Sequence, residues 1–237
     1  MQSSVLKAGA RQLMFKNAPM LFFISLLYVI LAAVISLLAT RLLGIIGILD
    51  TLNSFASGEL LDPLALSANI RPLGAILAVL LLFLHPILDV GFASYCLKIN
   101  RNKETDYKDI FNGFTIFIKI ISIFIISTIF IFLWSLLFFI PGIVASYSYR
   151  QAYYILLDDP GKSAIQCISE SKLMMHGHKV DLFVLDFSFL GWFFLDTAVV
   201  LLTPLPFVFP IVSIWLSPYL GLTRAAFYEN RIAGIAV

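Results

Sequence analysis

The chain has 237 residues, 60% of them hydrophobic and only 13% charged, with a formal net charge of +2. A soluble domain carries roughly twice that share of charge and a smaller apolar fraction, so the composition excludes a soluble fold and leaves a single polytopic membrane domain. No basic run with interleaved aromatics is present, and no nucleic-acid partner is expected.

Residues 3–17 place Leu6, Ala10, Leu13 and Met14 on one helical face, with Ser4, Lys7 and Arg11 on another. That spacing predicts a short interfacial helix with its cations toward anionic head groups. Pro19 suits the first turn of a first span over residues 20–43, an apolar run too long for a cleaved signal peptide. Residues 44–72 hold scattered Gly, Asp and Asn and read as an irregular loop resting on the bilayer surface. Pro72 opens a second span, 73–97, with a kink expected at His85-Pro86. The segment 98–114 is the most charged in the chain and is expected to be solvated.

A third span covers 116–140, with Lys119 long enough to reach the interface. A helix running on to Leu157 would measure about 63 Å, twice the hydrocarbon thickness of about 30 Å. It must break, and Pro141-Gly142 is the available breaker. The chain then either returns as a short fourth span, 143–157, or lies flat on the far side. Charge favours the return: it places all but Arg41 and Arg71 of the 16 lysines and arginines on or near the cytoplasmic side.

Asp159 is expected to cap an amphipathic helix over 160–176, with Pro160 at its first position. Ala164, Cys167, Ile168, Ser171, Met174 and Met175 share its apolar face, Leu173 is the exception, and Gly177 ends it. This helix either connects two spans or serves as a docking or lipid-sensing element; the connector is favoured. A fifth span, 180–202, and a sixth, 207–228, are joined by an outer turn at Thr203-Pro204-Leu205-Pro206. Trp134, Trp192 and Trp215 fall in the outer half, as in an aromatic belt. Cys96 and Cys167 fall on the cytoplasmic side, where thiols stay reduced.

Metal and nucleophile motifs are absent, so no catalytic residue, metal site or cofactor is expected. His176-Gly177-His178 reads as a solvated helix end, Asp158-Asp159 as a cap, Asp196 as a hydrated interfacial group. His85 reads as a residue bonded to a neighbour rather than a proton relay. The informative residues are the intramembrane charges. Asp89, Arg150 and Asp186 lie roughly 10–13 Å deep at helical rise, and Arg224 somewhat shallower. Tyr147 and Tyr154 share a helical face with Arg150. Such charges are costly in lipid, about 2.5–3.5 kcal/mol each, so they should face inward and pair. They either staple the bundle or line a ligand site in which Arg150 meets an anionic group such as a lipid phosphate.

The order of Ile140-Pro141-Gly142-Ile143, Tyr147-Ser148-Tyr149, Leu156-Leu157-Asp158-Asp159-Pro160, the stretch Ser171 to Lys179, Leu190-Gly191-Trp192 and Ala226-Phe227-Tyr228 resembles a family of bacterial integral membrane proteins, domain-of-unknown-function family 975. A looser similarity is to the membrane domain of some glycerophosphodiester phosphodiesterases, whose catalytic barrel has no counterpart here. The resemblance implies a multi-span bacterial plasma-membrane protein and brings no activity with it. The expectation is therefore an all-α, six-span helical bundle with both termini cytoplasmic and a cytoplasmic-side amphipathic helix. The expected role is a non-enzymatic accessory or interaction protein of the envelope, its partners the bilayer and another membrane protein or an anionic lipid. A transporter or lipid/anion-binding protein using the charged layer is the alternative.

Overall fold

The computed structural model describes residues 3–45, 72–202 and 211–235; nearly all of the loop expected over 44–72, the turn expected at Thr203-Pro204-Leu205-Pro206 and the expected start of a sixth span lie outside them. All regular structure among the described residues is helical. Two compact units are present, Met1–Val29 with Ile87–Val237, and Ile30–Pro86. The smaller comprises the second half of α2 (Ala18–Ile45) and the first half of α3 (Pro72–Asn100), with leucines and valines such as Leu37, Leu80 and Leu82 exposed along them. Among the described residues, three helical stretches are long and apolar enough to cross a membrane: Ala18–Ala39, Val79–Asn100 and Tyr107–Leu137.

The larger unit holds the core and everything that bears on a site. Its first helix, α1 (Ser3–Lys16), buries Leu6, Ala10 and Met14, the face its spacing predicts. That face is covered by protein rather than lipid, because α1 lies on α10 (Ile211–Ile235) and touches α8 (Lys179–Phe187). Lys7 is drawn in with it: its ammonium sits 4.4 Å from the centre of the Phe189 ring, and burial lowers its pKa.

The charged segment after α3 is solvated at Asn102, Lys103, Glu104, Asp106 and Lys108, as expected, but not throughout. A 3-10 helix, Tyr107–Ile116, buries Asp109 and Ile110 against the end of α3. The reason is pairing and small residues together. Lys98 neutralises Asp109 at 2.6 Å. Gly91 and Gly113 admit the two backbones so closely that an added Cβ would lie 1.8 Å from the Ile110 carbonyl oxygen and 2.1 Å from that of Ile87.

From there α4 (Phe117–Leu137) runs to one extended residue, Phe138, and reverses into α5 (Phe139–Tyr149). Ser135 lies against Gly142, and the rings of Phe130 and Tyr149 meet at 6.0 Å, so the helices run antiparallel. The break thus precedes the expected Pro141-Gly142. Proline lacks an N–H and is tolerated where a first helical turn leaves N–H groups unpaired, so Pro141 opens the returning helix instead of ending the outgoing one.

Neither of the next two stretches is one continuous helix. The expected fourth span, 143–157, is interrupted at Arg150-Gln151, between α5 and α6 (Ala152–Asp158). The expected fifth, 180–202, is interrupted at Ser188-Phe189, between α8 and α9 (Leu190–Leu202). The amphipathic helix is also shorter than its spacing implied. α7 covers Ala164–Met174 and is capped by Ser163, which accepts from the Gln166 amide at 3.3 Å while Gln166 reaches back to the Ser163 amide at 2.8 Å. This Ser-x-x-Gln box outcompetes Asp159, whose Oδ1 instead accepts from the Gly161 amide and closes the Pro160-Gly161 turn. Gly177, at φ +78°, turns the chain into α8.

Of the aromatic belt, Trp192 and Trp215 stand 5.0 Å apart and Trp215 continues to Tyr219. Asp196 is more than hydrated: Ser213 of α10 donates to its Oδ2 at 2.7 Å, and its Oδ1 is buried. Both cysteines are free and buried.

Candidate functional site

Three of the four charges expected at a common depth meet at one carboxylate. Asp186, near the end of α8, receives Arg224 of α10 through Nε at 3.1 Å and Nη2 at 3.0 Å, both on Oδ1. Arg150 approaches Oδ2 with its Nη2 at 3.8 Å, which makes an ion pair without a hydrogen bond. The Arg150 side chain is 43% exposed and that of Asp186 14%. Tyr147, one turn before Arg150, is within electrostatic reach of Asp186 and of both guanidiniums, and its ring packs edge-on against Phe183 at 5.7 Å.

The other predicted residues have further partners. Asp89 accepts a hydrogen bond of 2.7 Å from Tyr28 of α2, whose ring stacks on Phe92 at 4.6 Å. Tyr154 is buried and stacks on Tyr228 at 5.0 Å, which takes it into a second cluster that the sequence reading missed. Arg101 forms the centre of that cluster. It donates to both oxygens of Asp158, at 2.6 and 3.0 Å, and through Nε to Glu229 at 2.7 Å, while the Tyr228 hydroxyl donates to Asp158 at 2.7 Å. Hydrogen bonding to Asp158, more than that to Glu229, raises the Arg101 pKa against the opposing effect of burial. Asp158 is thus a strut between helices, not a cap. The signal was available in the positions: Arg101, Asp158 and Glu229 each lie at the end of an apolar run.

The gap between α5 and α6 is closed from outside. Ser171 of α7, fully buried, accepts from the Gln151 amide at 3.1 Å and donates to the Ser148 carbonyl at 2.8 Å. Two backbone groups freed by the interruption are satisfied by one hydroxyl. Nearby, the Lys119 ammonium donates to the Pro160 carbonyl, tying the start of α4 to the turn before α7.

No cluster of three potential metal ligands exists among the described residues. His178 pairs with Asp181 at 2.9 Å, and both are partly exposed, as expected of a helix end.

A family model described as a protein of unknown function (DUF975) matches residues 1–145 and 136–233, nearly the whole length. The chain belongs to the DUF975 family. No curated protein and no solved structure matches it, and the looser likeness to glycerophosphodiester phosphodiesterase membrane domains finds no support. Membership in DUF975 carries no activity to this chain, so its function must be argued from the two charged clusters.

Proposed function

We propose that this chain is a six-span protein of the bacterial plasma membrane, with both termini cytoplasmic, acting as a non-enzymatic accessory or interaction protein of the envelope. The observation that carries the topology is Arg101. Its partners bring the ends of α3, α6 and α10 to one level, and the six-span reading puts those three ends on the cytoplasmic side. Lys119 on the Pro160 carbonyl joins the same level. A non-catalytic role is supported by how the polar groups there are engaged: Lys98 with Asp109, Arg101 with Asp158 and Glu229, Lys162 with Glu170.

The surface left for partners is apolar. At the α4–α5 reversal the run 136–140 is consecutively exposed, Phe139 by 78%. A contiguous apolar tip of this kind rests against lipid or another membrane protein. Reporters fused after Gly58, Gly113, Gly177 and the C-terminus test the topology: only the first is expected to report outside. An external signal after Gly177 overturns it. The role is tested by releasing the protein from its own membrane in mild detergent, where a stoichiometric membrane-protein partner is expected; purification alone, with deletion leaving every membrane phenotype unchanged, refutes it.

A further inference from the structure

We propose that Arg150, backed by Arg224, forms an oxyanion site that takes a phosphate group, borne by an anionic lipid or free in solution. The site rests on the six-span reading for its depth, but its chemistry is local. Two guanidiniums face one carboxylate, and the contacts are unequal. Arg224 takes both short contacts, on Oδ1, and is sufficient to staple α10 to α8. Arg150 stands 3.8 Å from Oδ2, and its guanidinium makes no hydrogen bond among the described residues. Its planar set of N–H donors is therefore unspent on a side chain that is nearly half exposed. A guanidinium fork matches two oxygens of a phosphate in geometry and charge, and its weak hydration favours that exchange away from bulk water.

The surroundings fit the same ligand. The charge of Arg224 lies behind Arg150 across Asp186, so the cluster of Arg150, Arg224 and Asp186 carries a net positive charge. Tyr147 adds a hydroxyl on the same helical face. Asp186 repels an anion, and the exposed side of Arg150, away from Oδ2, is where a phosphate would sit. If the cluster were only a staple, the 3.8 Å contact would be the longer and more exposed of its two ion pairs.

The test uses full-length protein in mild detergent, depleted of endogenous lipid, read by native mass spectrometry and by thermal stabilisation. Phosphatidylglycerol, inorganic phosphate and a phosphate-free diacylglycerol are the three probes. The wild type is expected to bind phosphatidylglycerol or phosphate but not diacylglycerol, and Arg150→Gln to weaken that binding about tenfold or more, the effect of losing a charge-assisted pair. Stabilisation by phosphate alone assigns a soluble anion; stabilisation by the lipid with no effect of phosphate assigns a headgroup. Unchanged binding in Arg150→Gln, or no binding of either anion by the wild type, overturns the site. Arg224→Gln separates the roles, since it should lower the unfolding temperature while Arg150→Gln leaves it within a few degrees. An external Gly177 reporter would remove the topology while leaving this binding result standing.

Discussion

Ser171 has no exposed surface and makes two hydrogen bonds across a gap in the helix beside it. Replacing it with alanine leaves a buried amide and a buried carbonyl facing a methyl group. The expected loss is about 1–3 kcal/mol per unsatisfied group, seen as a lower unfolding temperature in detergent. Leu173, two residues on and 73% exposed, is the control: Leu173→Ser should change stability by no more than about 0.5 kcal/mol. An equal effect at the two positions would show that Ser171 does not close the gap. The helical wheel of α7 already put Ser171 on the inner face and Leu173 off it, because that face follows from spacing alone. What the hydroxyl does there was not legible, since its partners lie 20 and 23 residues away in sequence.

Helix against helix, the close approaches are made by glycine. At Gly91 an added methyl would lie 1.8 Å from a backbone oxygen, which cannot rotate away as a side chain can. Gly91→Ala should therefore separate α3 from the 3-10 helix and cost at least about 1–3 kcal/mol. Gly9, in the middle of α1, has nothing within 4 Å of its virtual Cβ. Gly9→Ala should stabilise by about 0.5–1 kcal/mol, because alanine removes backbone freedom that the unfolded chain otherwise keeps. Thermal unfolding of the two variants should move in opposite directions, and a common direction would refute this account. Apolar runs, the reversal near Pro141 and the inner face of α1 were readable because each depends on local periodicity or a local breaker. The interruptions at Arg150-Gln151 and Ser188-Phe189 were not, since no glycine or proline marks either.

Among the described residues, two clusters of ion pairs tie separate helices together. One is centred on Arg101 and joins three helix ends; the other is centred on Asp186 and joins α5, α8 and α10. The sequence put Asp89, Arg150, Asp186 and Arg224 at a common depth by counting residues from the ends of apolar runs. Counting cannot choose partners. It did not show that Tyr28 of α2 donates to Asp89, and it left out Arg101, whose charge looked like part of a solvated loop.

The hydroxyl that bridges α5 and α6 also fixes an order of events during synthesis. When residue 151 leaves the ribosome, the group that will satisfy its amide lies 20 residues behind. On the six-span reading, an arm already interrupted at Arg150-Gln151 would until then carry an unmet donor toward hydrocarbon, at a cost of several kcal/mol by general estimates. The arm is therefore expected to insert fully only once α7 has emerged and docked. Chains truncated at residue 165 should leave residues 143–157 open to protease, and chains truncated at 180 should protect them. Equal protection at both lengths would mean that the arm inserts unaided. On this reading the stretch after Asp159 is a late-arriving keystone, and the helical hairpin that precedes it is finished last.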